Sequence, residues 1–260
     1  MTDFGIKDGN VGVMKGVIWG ITPDAQISDL SHKVQAQNIR EAAYILGRSA
    51  PYFPQGTIHV VVVDPGVGTA RRSMAARIGD GFYVGPDNGT LTVWLERTEA
   101  GNWPCEFVQL DQPKFWLPVV SHVFHGRDIF SPVAAHLARG VSLNELGSAF
   151  SDPVRLDIPK PVKTADGWRG EVVHIDHFGN LASNIRVEHL GEAFRQKEKI
   201  ILRLNGTEVR GMVDTFGERP PGELVALLGS TGNLVLSVVN GSAASKLQAE
   251  VGNLVEAVLP

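Results

Sequence analysis

The segment HVVVVDPGVGTARRS, residues 59–73, determines the fold class that we predict for the first half of the chain. An apolar, β-branched run ends at Asp64, a loop beginning with Pro65 follows, and Arg71 and Arg72 lie near the end. Such a run is typical of a strand buried on both faces. Open α/β sheets bind ligands at the carboxyl ends of their strands. We therefore expect Asp64 to belong either to a ligand site or to a structural ion pair with an arginine.

Segments of helical and strand-like pattern alternate around this stretch. The spacing of apolar residues predicts helices, the first with Asn10 as its N-cap, over residues 10–21, 37–46, 90–97 and 129–138. Short apolar runs predict strands over residues 26–30, 57–63, 74–78, 82–84 and 106–110. The alternation indicates an α/β N-terminal domain with a largely parallel sheet over residues 1–152.

The character of the chain changes after residue 152, where DPVRLDIPKPVK contains three prolines. We predict a linker over residues 153–165. Beyond it, apolar runs separated by Gly, Asn and Asp predict strands over residues 171–175, 200–204, 224–228, 234–239 and 254–259, with a helix only at 186–196. Residues 166–260 are therefore expected to form a smaller all-β, barrel-like C-terminal domain.

Bulk composition excludes several classes of protein. The 260 residues carry a net charge of −4, so no basic surface favours nucleic acid. No run approaches the roughly 18–20 apolar residues of a membrane helix, and the first residues lack the features of a signal peptide. The single cysteine, Cys105, excludes an intrachain disulfide and a multi-cysteine zinc site. We expect a cytoplasmic protein that uses neither membrane nor nucleic acid.

The stretch TDFGIKDGN, residues 2–10, places Asp3, Asp8 and Asn10 directly before the first predicted helix. Asp and Asn favour turns and helix N-caps, which is one interpretation. A carboxylate can also accept two hydrogen bonds at once, so Asp3 is a candidate for the vicinal hydroxyls of a sugar.

The stretch SHVFHGRDIF, residues 121–130, supplies titratable groups before the last predicted helix of the first half. Asp128 fits a first-turn acid. His122 and His125 have no third partner at metal-ligand spacing, so we expect no metal. His125 next to Gly126 fits either a catalytic imidazole that substrate approaches closely or a core histidine.

The stretch HIDHFGNLASNI, residues 174–185, also suggests a metal site at first sight. Asp176 and His177 are neighbours, however, and in a strand they point to opposite faces. Phe178 and Asn180 fit a turn. They equally fit a base-binding pair, in which the ring stacks and the amide recognises polar edges.

Two glycine-containing stretches carry no dinucleotide or P-loop motif. In residues 64–73, Arg71 stands where the third glycine of G-x-G-x-x-G belongs. The stretch LLGSTGNLVLSVVNGSA, residues 227–243, by itself predicts a β-hairpin with Gly-Asn at its turn.

Five stretches of the chain, taken in order, resemble the S-adenosylmethionine hydroxide adenosyltransferases, hydrolases related to fluorinase and chlorinase. The stretches are TDFG, VVDPGVGTAR, PDNG, FHGRDIFSPVAAHLA and DHFGN, and they span essentially the whole chain. The resemblance implies an α/β domain followed by a β-barrel domain, assembled as a homotrimer. It places the substrate between the N-terminal domain of one subunit and the C-terminal domain of the next.

The resemblance also implies roles for individual residues. It places the catalytic trio on Asp64, Arg71 and His125, and leaves open whether the carboxylate or the imidazole takes the proton of water. It places ribose binding on Asp3. The remaining substrate-binding residues implied for adenine, ribose and methionine are Asp8, Asn10, Phe178, Asn180, Ser230, Val238 and Asn240. The expected products are adenosine and methionine, and no cofactor is expected because the sulfonium leaves as a neutral thioether.

Two alternatives remain at the level of sequence. Fluorinase relatives carry a tyrosine at the place of Asp64, a threonine at Val67 and a serine at Gly126. A halide beside Asp64 would be repelled by several kcal/mol at low effective dielectric, so water is the expected nucleophile rather than halide. The second alternative is a module that binds S-adenosylmethionine or adenosine without turnover.

The chain departs from the family pattern at a few positions. Gln37 stands where several relatives have an aromatic ring, and Val235 stands where many hydrolases have an acidic residue. Ala182 and Ser183 replace a bulkier residue and a threonine. The chain also has no strand-length run before Asp3.

Overall fold

The computed structural model describes residues 1–260 and contains two compact units, Met1–Leu156 and Asp157–Pro260. The division falls inside residues 153–165, the segment that the sequence predicts to be a linker. No helix of either unit is long and apolar enough to cross a membrane.

The first unit combines a five-stranded sheet with four α-helices. Its helices are α1 Asn10–Ile21, α2 Ile39–Ser49, α3 Thr92–Ala100 and α4 Ser131–Ala138. Its strands are β1 Ile58–Val60, β2 Ser73–Ile78, β3 Gly81–Pro86, β4 Cys105–Leu110 and β5 Gly147–Phe150. The strand order is β1-β3-β2-β4-β5. A π-helical segment, Gly126–Phe130, leads directly into α4, and single 3-10 turns lie at Ala50–Tyr52, Pro113–Phe115 and Leu143–Glu145.

The sheet is mixed, so the largely parallel sheet predicted from the alternating pattern is only partly present. β1 and β3 are parallel, whereas β3–β2, β2–β4 and β4–β5 are antiparallel. The reason lies in the connections. Only Gly79 and Asp80 separate β2 from β3, and so short a loop can join only antiparallel strands.

The segment before Asp64 is a shorter strand than predicted. β1 covers three of the residues 57–63, and beyond it Val62 makes a parallel bridge with Thr2. Val62 N–H donates to the carbonyl of Met1 at 2.9 Å, so the first residues lie beside the β1 segment like a short extra strand. Residues 26–30, predicted as a strand, form none.

Helix ends differ from the predicted ones by up to three residues, and two positions near these ends have a structural explanation. Asn10 is the first residue of α1 rather than its N-cap, because Gly9 occupies the cap position and makes no side-chain hydrogen bond. α2 continues past Gly47 to Ser49. A Cβ on Gly47 would lie 2.5 Å from Cγ1 of Val93, so this glycine serves the close packing of α2 against α3 instead of ending the helix.

The second unit is a nearly closed, barrel-like sheet, as the sequence predicts. Its strands are β6 Val162–Lys163, β7 Gly167–Ile175, β8 Leu181–Arg186, β9 Ile201–Leu204, β10 Thr207–Arg210, β11 Met212–Val213, β12 Leu224–Leu228, β13 Asn233–Val238 and β14 Leu254–Val258. The order is β10-β9-β14-β7-β8-β13-β12-β11, and β6 pairs with β7. Short helices are α5 Val187–Leu190 and α6 Ala243–Leu247, with 3-10 segments at Gly191–Lys199 and Phe216–Glu218. β12 and β13 form the predicted hairpin.

His59 of β1 is buried between two aromatic rings. It is 8% exposed, and its ring centroid lies 5.1 Å from that of Phe53 and 5.0 Å from that of Trp94. Burial, followed by the charge of the Met1 ammonium, lowers the pKa of His59 from 6.5 to about 4. Between these two values the unfolded chain binds more protons than the folded chain, so stability falls as the pH falls.

We expect acidification from pH 6.5 to 4 to cost about 3 kcal/mol of unfolding free energy through His59. His59→Phe keeps a ring between Phe53 and Trp94 and removes the titration. Urea unfolding at pH 7 and pH 4.5 should show a smaller acid loss for this variant than for the wild type. Equal losses in the two proteins would contradict the assignment.

Candidate active site

Arg71 lies at the centre of a polar cluster at the end of the β1 segment. Its Nε donates to Oδ1 and Oδ2 of Asp64, each at 3.0 Å, and its Nη2 makes a further short contact with Oδ2. Its Nη1 donates to Ser73 Oγ at 2.7 Å, and Phe130 packs against the guanidinium with its ring centroid 5.4 Å from Cζ. The side chains of Arg71 and Asp64 are 10% and 4% exposed. The pair is therefore fixed on several sides and shielded from bulk water.

His125 completes the cluster through the same guanidinium. Its Nδ1 lies 2.9 Å from Nη2 of Arg71. A guanidinium has no acceptor, so Nδ1 accepts this hydrogen bond and the ring proton is assigned to Nε2. Burial, and then the charge of Arg71, lower the pKa of His125 below 6.5. The imidazole is therefore neutral at neutral pH, with its lone pair directed at Arg71.

The backbone that carries His125 begins a π-helical turn. The N–H of Ser131 reaches the carbonyl of Gly126, five residues back, and the Ser131 hydroxyl donates to the same oxygen at 2.7 Å. Such turns occur frequently at functional sites. A Cβ on Gly126 would lie 3.2 Å from Met14 Sδ and 3.3 Å from both Val62 methyl carbons. The turn thus approaches the strand of Asp64 closely.

The loop between Asp64 and Arg71 packs against the segment that precedes His125. Val67 N–H donates to the carbonyl of Asp64 at 3.2 Å. Gly68 has φ +76°, and a Cβ there would lie 2.3 Å from the carbonyl oxygen of His122. Only glycine fits this conformation and this approach. The carboxylate loop and the histidine segment are therefore held together at the backbone.

Asp3 lies at the same edge of the sheet as Asp64. Thr2 and Val62 form a parallel bridge, so the two segments run in the same direction and end side by side, at Asp3 and Asp64. Neighbouring strands are about 4.8 Å apart. One carboxylate oxygen of Asp3 accepts the backbone N–H of Gln37 at 2.7 Å. The N-terminal strand whose absence was expected is thus represented by Met1 and Thr2.

Asp8 and Asn10, the other candidates near the N-terminus, are exposed. Asp8 lies in the turn before α1 and Asn10 is the first residue of that helix. Neither side chain contacts the Asp64 cluster.

In the second unit, Asp176 organises a tight turn. One oxygen accepts the backbone N–H groups of Phe178 and Asn180, each at 2.9 Å, and the other accepts Asn180 Nδ2 at 2.7 Å. The turn that the sequence predicts at Phe178 and Asn180 is therefore present, and Asp176 is the residue that stabilises it. Phe178 is 72% exposed, so its ring is free to stack on a ligand.

This turn lies beside the end of β13. The carbonyl of Gly179 accepts the N–H of Ala244 at 3.0 Å. Val238 forms an antiparallel bridge with Gly241, and Asn240 between them has φ +53°. Phe178, Asn180, Val238 and Asn240 therefore come from two adjoining turns.

Ser230 lies elsewhere in the second unit. It belongs to the turn between β12 and β13, at the opposite end of β13 from Val238. The six residues of this strand span about 20 Å. Val235, on the same strand, pairs with Leu227 and Ala182 inside the sheet. A ligand that touches both ends of β13 has to be extended.

Ser73 is a site residue that the sequence prediction missed, although a signal was present. Ser73 is the first residue of β2 and follows Arg71 by only two positions, which brings its hydroxyl within reach of that guanidinium. No three His, Cys, Asp or Glu side chains of the chain form a cluster that could hold a metal ion.

Comparison with known proteins identifies relatives over nearly the whole chain. The (R)-S-adenosyl-L-methionine hydrolase of Salinispora tropica is 41% identical over 258 residues, which cover 97% of this chain and 94% of the relative. The fluorinase of an Actinoplanes species is 31% identical over 268 residues, covering 91% and 89%. The crystal structure of an uncharacterized conserved protein from Thermotoga maritima matches with a TM-score of 0.91 at 35% identity, covering 99% and 98%.

Family models agree with these matches in both units. The model of the SAM hydroxide adenosyltransferase N-terminal domain matches residues 1–147, and that of the corresponding C-terminal domain matches residues 170–256. Together with the cluster at the carboxyl edge of the sheet, these matches show that the chain belongs to the S-adenosylmethionine hydroxide adenosyltransferase family.

Proposed function

We propose that the chain hydrolyses S-adenosyl-L-methionine to adenosine and L-methionine. The observation that carries the proposal is the contact of Asp64, Arg71 and His125 at the carboxyl edge of the sheet, beside Asp3. It is the trio expected from the family, on the strand end where a ligand should bind.

The chemistry is a displacement at ribose C5′. The oxygen of water forms a bond to C5′, the C5′–S bond breaks, and its electron pair stays on sulfur. Sulfur thereby loses its positive charge and leaves as the neutral thioether of methionine, so no general acid is needed. The site has to supply a water molecule in line with C5′ and an acceptor for its proton.

We assign proton acceptance to Asp64 rather than to His125. Nδ1 of His125 already accepts from Arg71, and Nε2 already carries a proton, so the imidazole has no free lone pair. Oδ1 of Asp64 accepts one hydrogen bond in the cluster, from Arg71 Nε, and a carboxylate oxygen can accept about two. Attack by water produces a protonated alcohol, which is acidic enough to lose its proton to a carboxylate.

Arg71 and His125 then have supporting roles in this proposal. Arg71 fixes both oxygens of Asp64, which holds the proton acceptor beside the attacking water. Neutral His125 accepts from Nη2 of Arg71 through Nδ1. Its Nε2–H points away from Arg71 and can donate a hydrogen bond to the oxygen of the attacking water.

Substrate-binding roles follow from the family motifs. Asp3 is placed to accept the ribose hydroxyls, with Asp8 and Asn10 near the same end. Phe178, an exposed ring, suits stacking on adenine. The other proposed contacts to adenine and methionine are Asn180, Ser230, Val238 and Asn240.

We also propose a homotrimer in which the second unit of a neighbouring subunit completes each site. The family resemblance supports this, and so does α1, which leaves Val13 and Trp19 each 45% exposed. Sedimentation should give a mass near three times 28.1 kDa. Mixed trimers of Asp64→Asn and Phe178→Asp chains should regain activity, because some sites then combine two intact halves. An active monomer, or failure of mixing to restore activity, would contradict the shared site.

Halide transfer is the alternative function with support, since fluorinases are among the relatives. Against it stands Asp64, whose negative charge disfavours an anion where the nucleophile must lie. A Cβ on Gly126, where fluorinases carry serine, would also press on Met14 and Val62. A module that only binds its ligand would have no use for the contact of Asp64 and His125 with Arg71.

Product analysis tests the proposed function. Incubation with S-adenosyl-L-methionine in H₂¹⁸O should yield adenosine with ¹⁸O at C5′, together with methionine. The relatives are named for the (R) sulfonium epimer, so we expect faster turnover of that epimer than of the (S) epimer. Methylthioadenosine, S-adenosylhomocysteine or, in high chloride, a 5′-chloro nucleoside as main product would refute the proposal.

A further inference from the structure

The turn with sequence PDNG, residues 86–89, contacts the chain on both sides of the loop from Asp64 to Arg71. Asn88 Nδ2 donates to the carbonyl of Val63 at 2.9 Å, directly before Asp64. Asp87 contacts Arg72, directly after Arg71, through side chain and backbone. The proposed mechanism assigns no role to Asp87 or Asn88.

Asn88 replaces a hydrogen bond that the sheet cannot provide. The parallel ladder between β1 and β3 ends with Val61 N–H donating to the carbonyl of Val84, and β3 itself ends at Pro86, so Val63 lies beyond the paired residues. Val63 is fully buried, so its carbonyl needs another donor. The amide of Asn88 is that donor.

The orientation of the Asn88 amide is itself fixed. Its Oδ1 accepts the hydroxyl of Thr90 at 2.7 Å and the N–H of Thr90 at 3.2 Å. Because its oxygen is held there, its NH₂ group points to Val63. The peptide between Val63 and Asp64 is therefore held by a preorganised donor.

Asp87 holds the other end of the loop. Its Oδ2 accepts Arg72 Nε at 2.8 Å, its Oδ1 accepts Val154 N–H at 2.8 Å, and its own N–H donates to the carbonyl of Arg72 at 3.0 Å. The guanidinium of Arg72 also stacks on Phe150, with Cζ 4.2 Å from the ring centroid. The backbone next to Arg71 is thus fixed.

We infer that Asn88 and Asp87 are positioning residues, which set the placement of the Asp64 carboxylate and the Arg71 guanidinium from one turn. The inference rests on the proposed function, in which those two groups hold the attacking water. A misplacement of about 1 Å in such a group costs up to about 10²-fold in rate.

The decisive variant is Asn88→Asp. It keeps an oxygen for Thr90 and loses the N–H donor to Val63. We expect kcat to fall by about 10- to 100-fold, with KM and the dissociation constant of adenosine within about twofold of wild type. The matched control is Thr22→Val, which also loses one side-chain donor to a backbone carbonyl, that of Ala135, 2.9 Å away in the wild type. Its kcat should stay within about twofold of wild type.

A second pair of variants covers the possibility that Asn88→Asp does not fold. Arg72→Lys removes the Nε contact with Asp87 at a side chain that is 26% exposed, and kcat should again fall with KM little changed. Asp152→Asn alters the outer, 79% exposed partner of the same guanidinium and should leave kcat unchanged. Unchanged kcat in both Asn88→Asp and Arg72→Lys, or equal losses in test and control variants, would overturn the inference.

A spectroscopic measurement separates this inference from the proposed function. The ring resonances of His125 report the geometry of Arg71 without any turnover. They should move in Asn88→Asp and stay in place in Thr22→Val. If wild-type protein produced no adenosine while this difference was present, the function would fail and the positioning would stand. Unmoved resonances in folded Asn88→Asp would refute the positioning even in an active enzyme.

Discussion

Asp64→Asn should lower kcat by at least about 10²-fold, the scale expected when a positioned proton acceptor is removed. The amide has nearly the shape of the carboxylate, but it cannot take the proton of the attacking water. Adenosine should still bind with a dissociation constant within a few-fold of wild type, because the proposed ribose and adenine contacts lie elsewhere. Single-turnover kinetics and calorimetry measure the two quantities separately.

Two further variants make this result interpretable. Asp152→Asn neutralises another arginine-bound carboxylate of the same unit and should not change kcat. His125→Asn places an amide oxygen near the position of Nδ1, so it can still accept from Arg71 but cannot take a proton. We expect it to cost less than about tenfold. If it costs as much as Asp64→Asn, the imidazole is the base, and near wild-type rates in both variants would make the trio structural.

Arg71→Leu should reduce kcat by about 10²-fold, since it removes the group that fixes the Asp64 carboxylate beside the attacking water. The charge of Arg71 is the second cause that lowers the pKa of His125, after burial. Its removal should therefore raise the pKa of His125 toward its ordinary value. Titration of the His125 ring by NMR would follow this shift directly.

Arg77→Leu is the matched control for this experiment. Arg77 lies on β2 as an exposed residue and pairs loosely with Glu106 at 3.6 Å, so its loss should leave kcat and His125 unaffected. Arg71→Lys should be intermediate, because one ammonium cannot contact Asp64, Ser73 and His125 together. Activity within tenfold of wild type in Arg71→Leu would show that the guanidinium serves folding rather than hydrolysis.

Local pattern predicted the elements of this fold better than their arrangement. The apolar runs of β2, β4 and β12 lie within a residue of their predicted limits. Strand direction was predicted wrongly for most of the first sheet, because it depends on Gly79 and Asp80 forming a hairpin. The helix predicted over residues 37–46 stops short of the observed end at Ser49, because the close contact of Gly47 with α3 cannot be seen in a single helix.

The site was accessible from sequence only in part. Asp64 was identified by its place after an apolar run, whereas its combination with His125, 61 positions later in the printed sequence, came from family resemblance. The tautomer of His125 and the donor that Asn88 provides depend on distances between segments. No spacing rule within one stretch contains that information.

The π-helical turn after His125 makes the orientation of the imidazole depend on the number of residues between His125 and α4. Successive residues of an α-helix are rotated by about 100° around the helix axis. Removing one residue from Gly126–Phe130 would allow an ordinary helical turn to form there, and it would rotate His125 by more than a quarter of a circle relative to α4. The imidazole would then point away from Arg71 although every residue of the cluster was still present. A substitution in this turn changes one side chain. Deletion of a single codon would instead separate His125 from Arg71 while Asp64, Arg71 and His125 all remained in the chain.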